Sequence, residues 1–474
     1  MSSGGSPVSQ TRVLLGLILG AALGSLANSI VTEGNAVLKD GEVPTPRYLV
    51  AKWLAENAVG PVLPYLITYV AGPVGSIFLH LLFFAIVPLV FASLAVGVTR
   101  LGGTGNVGRI GAKTLAYFLV TTACAAAIGL SAVNLIEPGH RLPEEQRIDL
   151  VNNYPKGDGD TKAAGLGIDT LVNVVPKNPL KAFVEKDMLA IIFSAILVGV
   201  ALTRIDPDKA ALLTKFLEGV NQVTDFVIRL AMAMAPYAVF ALIFQTTAAF
   251  GYQLLIALGA YVVTVLLGLA VHQFVVLPML VYWLGGRDPL DFYRKIRVVM
   301  LTAFSTSSSS ATLPVAMKCA EEDLGVPEGV SRFVLPLSAS MNHNGTALFE
   351  GVTVIFLAQL FNVDLSLPQQ LIVLVLCILT ATGMAGVPGG SLPLIGIILV
   401  TATDGKVPAG AIAIIAGVDR LLDMCRTTVN VTADMTTAVF VARSEASRGA
   451  GRAVTAGTTP LESLPTLAGP PVGR

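Results

Sequence analysis

Asp419, Asp423, Arg426, Thr427, Asn430 and Asp434 punctuate GVDRLLDMCRTTVNVTADMTTA, the stretch from Gly417 to Ala438 that follows the apolar run AIAIIAGV. At about 100° per residue they fall within an arc roughly 100° wide, so a helix here is polar on one face and mostly apolar elsewhere. Each Asp or Arg at the bilayer centre costs ~2.5–3.5 kcal/mol on insertion scales, so four of them facing lipid would cost about 10 kcal/mol or more. The face must line a protein cavity. Asp423 and Arg426, at i and i+3, could merely neutralise each other inside a bundle, but Asp419 and Asp434 are then left over. A guanidinium is a planar fork suited to a carboxylate, while acids accept an ammonium or a metal ion. The ridge reads as a site for an anionic solute and for cations.

The elements that hold such a ridge follow from composition. The 474 residues are 54% hydrophobic and 13% charged, with mean hydropathy +0.73, a combination rare in soluble domains. Several apolar runs exceed the ~20 residues that span a bilayer, and none shows the alternation of a closed barrel. The chain reads as an all-α polytopic membrane protein. Thirty-one basic and 31 acidic residues cancel, which argues against a nucleic-acid partner. Cys124, Cys319, Cys377 and Cys425 lack CxxC spacing and read as packing residues, not as disulfides or a zinc site. The first apolar helix has no small-residue cleavage signature and is expected to be retained.

Spans are expected at about 11–31, 73–98, 107–136, 179–205, 206–250 and 253–285, the fifth long enough to project or break near Pro236. The piece at 58–72 is apolar but interrupted by prolines, and its place relative to the membrane stays open. Residues 137–176 form a hydrophilic loop, and the tail after Arg443 lacks apolar periodicity and is read as disordered. Gly16, Gly20 and Gly24, at spacing four, permit close helix approach. Basic residues gather in alternate connections (Arg100, Arg109, Lys113; Arg204, Lys209, Lys215; Arg287, Arg294, Lys295, Arg297), which puts those connections and both termini in the cytoplasm.

The C-terminal half repeats itself weakly. TAFSTSSSSATLP (Thr302 to Pro314) and TATGMAGVPGGSLP (Thr380 to Pro393) are interrupted small-residue segments whose starts lie 78 positions apart. Each precedes a span with buried polar groups: 333–361, carrying NHNGTALFE, and the ridge helix. Paired broken segments point to a transporter site at an inverted repeat, since irregular backbone is tolerated at membrane depth only where it lines a cavity. Half-helix N-termini then face an anion and free carbonyls face a cation. Asn342, Asn344, Gly345 and Thr346 read as an unwound turn supplying ligands. His343 and Glu350 are candidate proton carriers, whereas His80 and His272 read as structural.

SSSSATLP, NHNGTALFE, AGVPGG and VDRLLDMCRTTVNVTAD resemble the signature blocks of the dicarboxylate/amino acid:cation symporters, the glutamate transporters and their prokaryotic homologues. GRIGAKTLAYFLVTT and VVPKNPL resemble their third and fourth helices, and the likeness covers roughly 10–443. It implies eight transmembrane helices plus two re-entrant helical hairpins in inverted repeats, the elevator-type glutamate transporter fold, as a homotrimer in the plasma (inner) membrane. By it, 1–106 holds scaffold spans one and two, 107–136 is transport-domain span three, and 137–251 holds the polar loop and scaffold spans four and five. The transport domain would fill 252–443 with span six, a first hairpin at about 287–323, span seven, a second hairpin at about 365–402 and span eight, before the tail at 444–474.

Position by position, the resemblance implies that Arg426 binds the side-chain carboxylate of aspartate or glutamate and Asp423 the amino group. Thr346, Thr427, Asn430 and hairpin tips near Ser309 and Val387 complete that site. Asn342, Asn430 and Asp434 match ligands of one sodium site, and Thr121, Thr122 and Asn342 part of another. Glu350 matches the proton-carrying glutamate of animal members. Two departures stand out. Where the family usually reads Asn-Met-Asp-Gly-Thr, the chain has Asn342-His343-Asn344-Gly345-Thr346, so Asn344 puts a neutral amide at a sodium-ligating position. A second arginine is missing from its usual places, here Ser307 and Met424. The expectation is symport of an acidic amino acid or dicarboxylate with Na+ and/or H+, coupled to fewer sodium ions or to protons, without enzymatic cofactor. A neutral amino acid transporter of the same fold and an anion channel are the alternatives; an intramembrane hydrolase using a Ser from 307–310 with His343 lacks a GxSxG elbow.

Overall fold

Long apolar runs propagate helices, and in a bilayer a helix satisfies its backbone groups within one segment. The computed structural model describes residues 10–36, 45–101, 106–153, 175–185, 188–250, 253–384 and 389–455, and among these residues every regular element is helical and no strand occurs. Helix α1 (Gln10–Gly34) is followed by α2 (Pro46–Leu54), α3 (Gly60–Leu66) and α4 (Gly72–Leu101), which π turns at Ala55–Val59 and Ile67–Ala71 join into one helical path. The proline-broken piece at 58–72 is thereby an extension of the second span. At each π turn the next amide bonds five residues back, Gly60 N–H to Ala55 O and Gly72 N–H to Ile67 O, immediately before Pro61 and Pro73. A proline ring clashes with the carbonyl four residues earlier, and the wider turn relieves that clash without ending the helix.

Next come α5 (Asn106–Ile136), α6 (Glu144–Asn153), α7 (Pro179–Glu185), α8 (Met188–Leu202), α9 (Pro207–Phe250), α10 (Gln253–Val271), a third π turn at His272–Val276 ahead of Pro278, and α11 (Leu277–Trp283). Helix α9 runs through Pro236 unbroken. The glycine stripe of α1 lies on α9, where a Cβ at Gly20 would stand 2.7 Å from the Phe240 carbonyl oxygen.

The C-terminal half comprises α12 (Pro289–Thr306), α13 (Ser309–Glu322), α14 (Glu328–Met341), α15 (Asn344–Leu360), α16 (Leu367–Gly383), α17 (Ser391–Ala402) and α18 (Ala413–Thr455). Helices α12 and α13 pack together across a turn in which Ser307 is left-handed (φ 50°) and Ser308 Oγ caps α13 by accepting from Ala311 N at 3.2 Å. Helix α18 continues past Arg443 to Thr455, so the tail begins as helix; residues 456–474 lie outside the described residues.

Five helical stretches are long and apolar enough to cross a membrane among the described residues: Leu15–Glu33, Pro46–Thr99, Arg109–Arg141, Pro207–Gln245 and Gln253–Trp283. The chain is an integral membrane protein. Helix α18 sits at its centre, packed against α5 and α9 to α15. Phe292, Ile296, Val334 and Met435 form one apolar core around it, and Tyr261, Phe349, Phe356 and Leu422 belong to the larger one.

Candidate substrate and cation site

The ridge of α18 is buried because the neighbouring helices cover that face, whereas Leu421 on the opposite face stays exposed. Arg426 is only 2% exposed. Its Nε and Nη2 each lie 3.0 Å from Asp423 Oδ1, and its Nη1 lies 2.9 Å from Asp419 Oδ1. Its Cζ stands 4.1 Å from the centroid of the Phe349 ring. The guanidinium is thus compensated at its edge by carboxylates and on its face by an aromatic quadrupole. Asp423 has further partners through Oδ2: Arg420 Nη1 at 3.6 Å and the Gly389 N–H at 3.3 Å. Gly389 has φ 75°, which a residue without Cβ adopts freely, so the turn before α17 can present its amide to the ridge.

Opposite the ridge, the helix carrying NHNGTALFE is broken. Asn342 (φ −112°, ψ 81°) and His343 (φ −113°, ψ 61°) leave helical space between α14 and α15. The unwound turn is narrower than the sequence suggested, since Asn344, Gly345 and Thr346 already form the first turn of α15. The freed groups are taken up on both sides. Toward α18, Gly345 N–H donates to Asn430 Oδ1 at 2.7 Å, Asn430 Nδ2 to Thr346 Oγ1 at 3.1 Å, and Asn342 Nδ2 to Asp434 Oδ1 at 2.9 Å. Toward α16, His343 Nδ1–H donates to Ala381 O at 2.9 Å, and Glu350 Oε2 accepts from Thr380 Oγ1 at 2.7 Å. A Cβ on Gly345 would come within 2.6 Å of the Arg426 carbonyl oxygen, so glycine is what lets the break approach the arginine.

The sequence pattern of the sodium:dicarboxylate symporter family matches residues 10–444. The chain belongs to the sodium:dicarboxylate symporter family. It is 32% identical to the proton/sodium-glutamate symport protein of Bacillus subtilis (strain 168), over 92% of each chain. It is 33% identical to the proton/glutamate-aspartate symporter of Escherichia coli (strain K12), over 80% of this chain and 86% of the relative. A C4-dicarboxylate transport protein of Anaeromyxobacter sp. (strain K) is 31% identical, over 83% of this chain and 88% of the relative. This is a family of transporters, not of enzymes.

Within this symporter fold the residues expected at the substrate site, Thr346, Asp423, Arg426, Thr427 and Asn430, are all buried where α15 meets α18. Ser309 is buried as the first residue of α13, and no hydrogen bond joins it to the ridge among the described residues. Val387 lies outside the described residues. The cation candidates form two groups. In the first, Asn342 Oδ1 is buried without a partner beside Asp434, with which no Lys or Arg pairs among the described residues. A carboxylate and a free amide oxygen suit a hard cation. Asn430, by contrast, spends its carboxamide on Gly345 and Thr346. In the second, Thr122 Oγ1 donates to Asn344 Oδ1 at 2.8 Å, and Thr121 Oγ1 lies 3.4 Å from the same oxygen.

Sequence reasoning missed Arg420, Phe349 and His272. Arg420 stands three residues before Asp423 on the same helix, so the i, i+3 rule could have found it. Phe349 adjoins Glu350 in a block already singled out. His272 gave no signal, because its partner Asn344 lies 72 residues further on.

Proposed function

We propose that the chain is a secondary active symporter that moves an acidic amino acid or a C4-dicarboxylate, aspartate or glutamate foremost, across the plasma (inner) membrane together with Na+ and/or H+. The observation that carries this reading is the buried Arg426, neutralised by acids of its own helix beside a broken helix. Stripping a carboxylate of water costs several kcal/mol per ion unless a partner is supplied. Here the substrate exchanges partners: its carboxylate takes the guanidinium and its ammonium takes Asp423, which Arg420 and the Gly389 amide keep in place. Arg420 thus supplies, three residues away, the second positive charge absent at 307 and 424, which favours an acidic substrate over a neutral one.

A cation at Asn342 and Asp434 offsets the acids of the ridge. Its site is joined to the substrate site through the break, because Asn430 holds both the Gly345 amide and Thr346. Binding of one ligand orders the groups that the other needs, and the coupling is reciprocal. Glu350 and His343, both bonded to α16, are the proton-carrying candidates. The elevator arrangement follows as part of the proposal: scaffold spans one, two, four and five form a homotrimer, and spans three, six, seven and eight with both hairpins slide against it. Both termini are cytoplasmic.

Uptake by proteoliposomes under imposed Na+ or pH gradients tests this reading. Labelled L-aspartate, L-glutamate or succinate is expected to accumulate under at least one gradient, in preference to L-serine. Equal flux of all four without a gradient would mean a channel.

A further inference from the structure

His272 opens the π turn between α10 and α11 and is fully buried. Its Nε2 lies 3.2 Å from Asn344 Nδ2; an NH2 group only donates, so Nε2 accepts and the neutral ring carries its proton on Nδ1, which is buried without a hydrogen-bond partner. Asn344 is fully buried too, and its carboxamide oxygen accepts from Thr122 Oγ1 at 2.8 Å. Both ends of the carboxamide are therefore engaged, one by α5 and the other by the π turn. A cation needs oxygen lone pairs turned toward it. Here a hydroxyl hydrogen points at the Asn344 carboxamide oxygen, and the amide brings no charge. Turning these groups toward an ion would leave a buried imidazole nitrogen and a buried NH2 without partners, at a cost comparable to lost hydrogen bonds. The contrast is Asn342 Oδ1, which faces no donor and has a carboxylate beside it.

Of the ligands that the family resemblance implies there, Thr121, Thr122 and Asn342 with position 344, only Asn342 Oδ1 is free of a hydrogen-bond donor, and Asn344 replaces the carboxylate with an amide whose oxygen is taken up by Thr122, so the set does not fit a sodium ion. We propose that His272 and Asn344 form a neutral clamp that takes the place of that ion, fixing the first turn of α15 to α5 and α10. The chain then couples its substrate to one sodium ion fewer than a carboxylate at position 344 would require. His272 acts through Asn344 and is a positioning residue. The inference rests on the proposed symport for the coupling to sodium and for the choice of L-aspartate as probe.

Four purified full-length proteins test it: wild type, His272→Ala, His272→Gln, and His272→Gln combined with Asn344→Asp, in which no imidazolium can stand in for an ion. Two quantities are measured at constant ionic strength: the L-aspartate Kd as a function of sodium, and the sodium-induced change in Tm without substrate. The double variant is expected to gain one in the log–log slope over wild type and a larger sodium-induced rise in Tm. His272→Gln, whose new carboxamide oxygen can accept from Asn344, is expected to keep the wild-type Kd, whereas His272→Ala weakens it at least tenfold at every sodium concentration with no change of slope. Equal slopes and equal Tm responses in the double variant and wild type overturn the clamp, and so does wild-type affinity in His272→Ala. If the double variant does not fold, the Ala and Gln comparison alone decides. Failure of wild type to bind L-aspartate contradicts the symport reading instead, and the substrate-free Tm comparison still judges the clamp.

Discussion

Arg426 and Asp423, three residues apart on α18, are joined by two contacts of 3.0 Å to a single carboxylate oxygen, Asp423 Oδ1. The pair leaves Oδ2 facing Arg420 and the Gly389 amide. Asp423 is therefore the joint between the Arg426 guanidinium, the proposed carboxylate reader, and the turn leading into α17. A ligand carrying both a carboxylate and an ammonium replaces each half of the pair with a group of the same sign. A dicarboxylate without an amine replaces only one half. Asp423→Asn should accordingly weaken L-aspartate at least a hundredfold and succinate much less, as competition binding to the purified protein would show; equal losses for both ligands would remove Asp423 from the amine site.

The free Asn342 oxygen beside Asp434 makes a second prediction. Asp434→Asn keeps the shape and removes the charge, so the proposed cation site would lose its carboxylate while Arg426 remains in place. The dependence of the L-aspartate Kd on the driving cation should drop by one ion, with Tm little changed. An unaltered dependence would put the cation elsewhere.

Glu350 is fully buried, holds one Thr380 hydroxyl and leaves Oε1 without a partner. Glu350 is a proposed proton carrier, and its amide would keep the shape while carrying no exchangeable charge. In Glu350→Gln, L-aspartate uptake driven by an inward proton gradient should vanish while exchange of internal for external L-aspartate continues. Proton-driven uptake at the wild-type rate would transfer the proton to another group.

Outside the spans, Glu445 on the last turns of α18 ties that helix to α5, its Oε2 2.5 Å from Arg109 Nη2 and its Oε1 2.7 Å from Lys113 Nζ. The hydrogen bond from Arg109, then that from Lys113, hold its carboxyl well below the usual 4.5, at about 2. A depressed carboxyl stabilises the folded state fully above its ordinary value and loses that contribution as pH falls through the folded one. The gap in Tm between wild type and Glu445→Gln should be constant from neutral pH to about 5, then close as the pH is lowered from 4.5 toward 2. Exposed pairs contribute ~0–1 kcal/mol, so the gap should be small and should shrink with salt.

How much of this could be read from the chain alone differs from element to element. The ridge was legible because six polar residues kept the 3.6-residue period of one helix face, a local pattern. The break at Asn342–His343 was legible because Asn, His, Asn and Gly together oppose an apolar helix. Other features depend on tertiary placement. Pro61 and Pro73 read as interruptions, but π turns absorb them into the second span. Positions 307 and 424 carry no arginine, and helical geometry instead turns Arg420 to within 3.6 Å of Asp423 Oδ2. His272 looked like an ordinary core histidine because nothing in its own segment marks it; the packing of α10 against α15 does. The composition of the tail gave no hint that α18 runs on to Thr455, since that stretch follows from propagation of a helix already anchored through Glu445.

Arg426 is proposed to select the transported anion, and uptake by Arg426→Cys reconstituted beside wild type tests this most directly. Buried Asp419 would lose its ion-pair partner and Asp423 one of its two, so Tm should fall and is measured in parallel. With labelled L-aspartate, L-glutamate and L-serine under the gradient that drives wild type, the folded variant should lose its preference for the two acidic substrates, with their uptake down at least a hundredfold relative to L-serine. If Arg426→Cys still takes up L-aspartate in preference to L-serine, Arg426 is not the residue that recognises the acidic side chain.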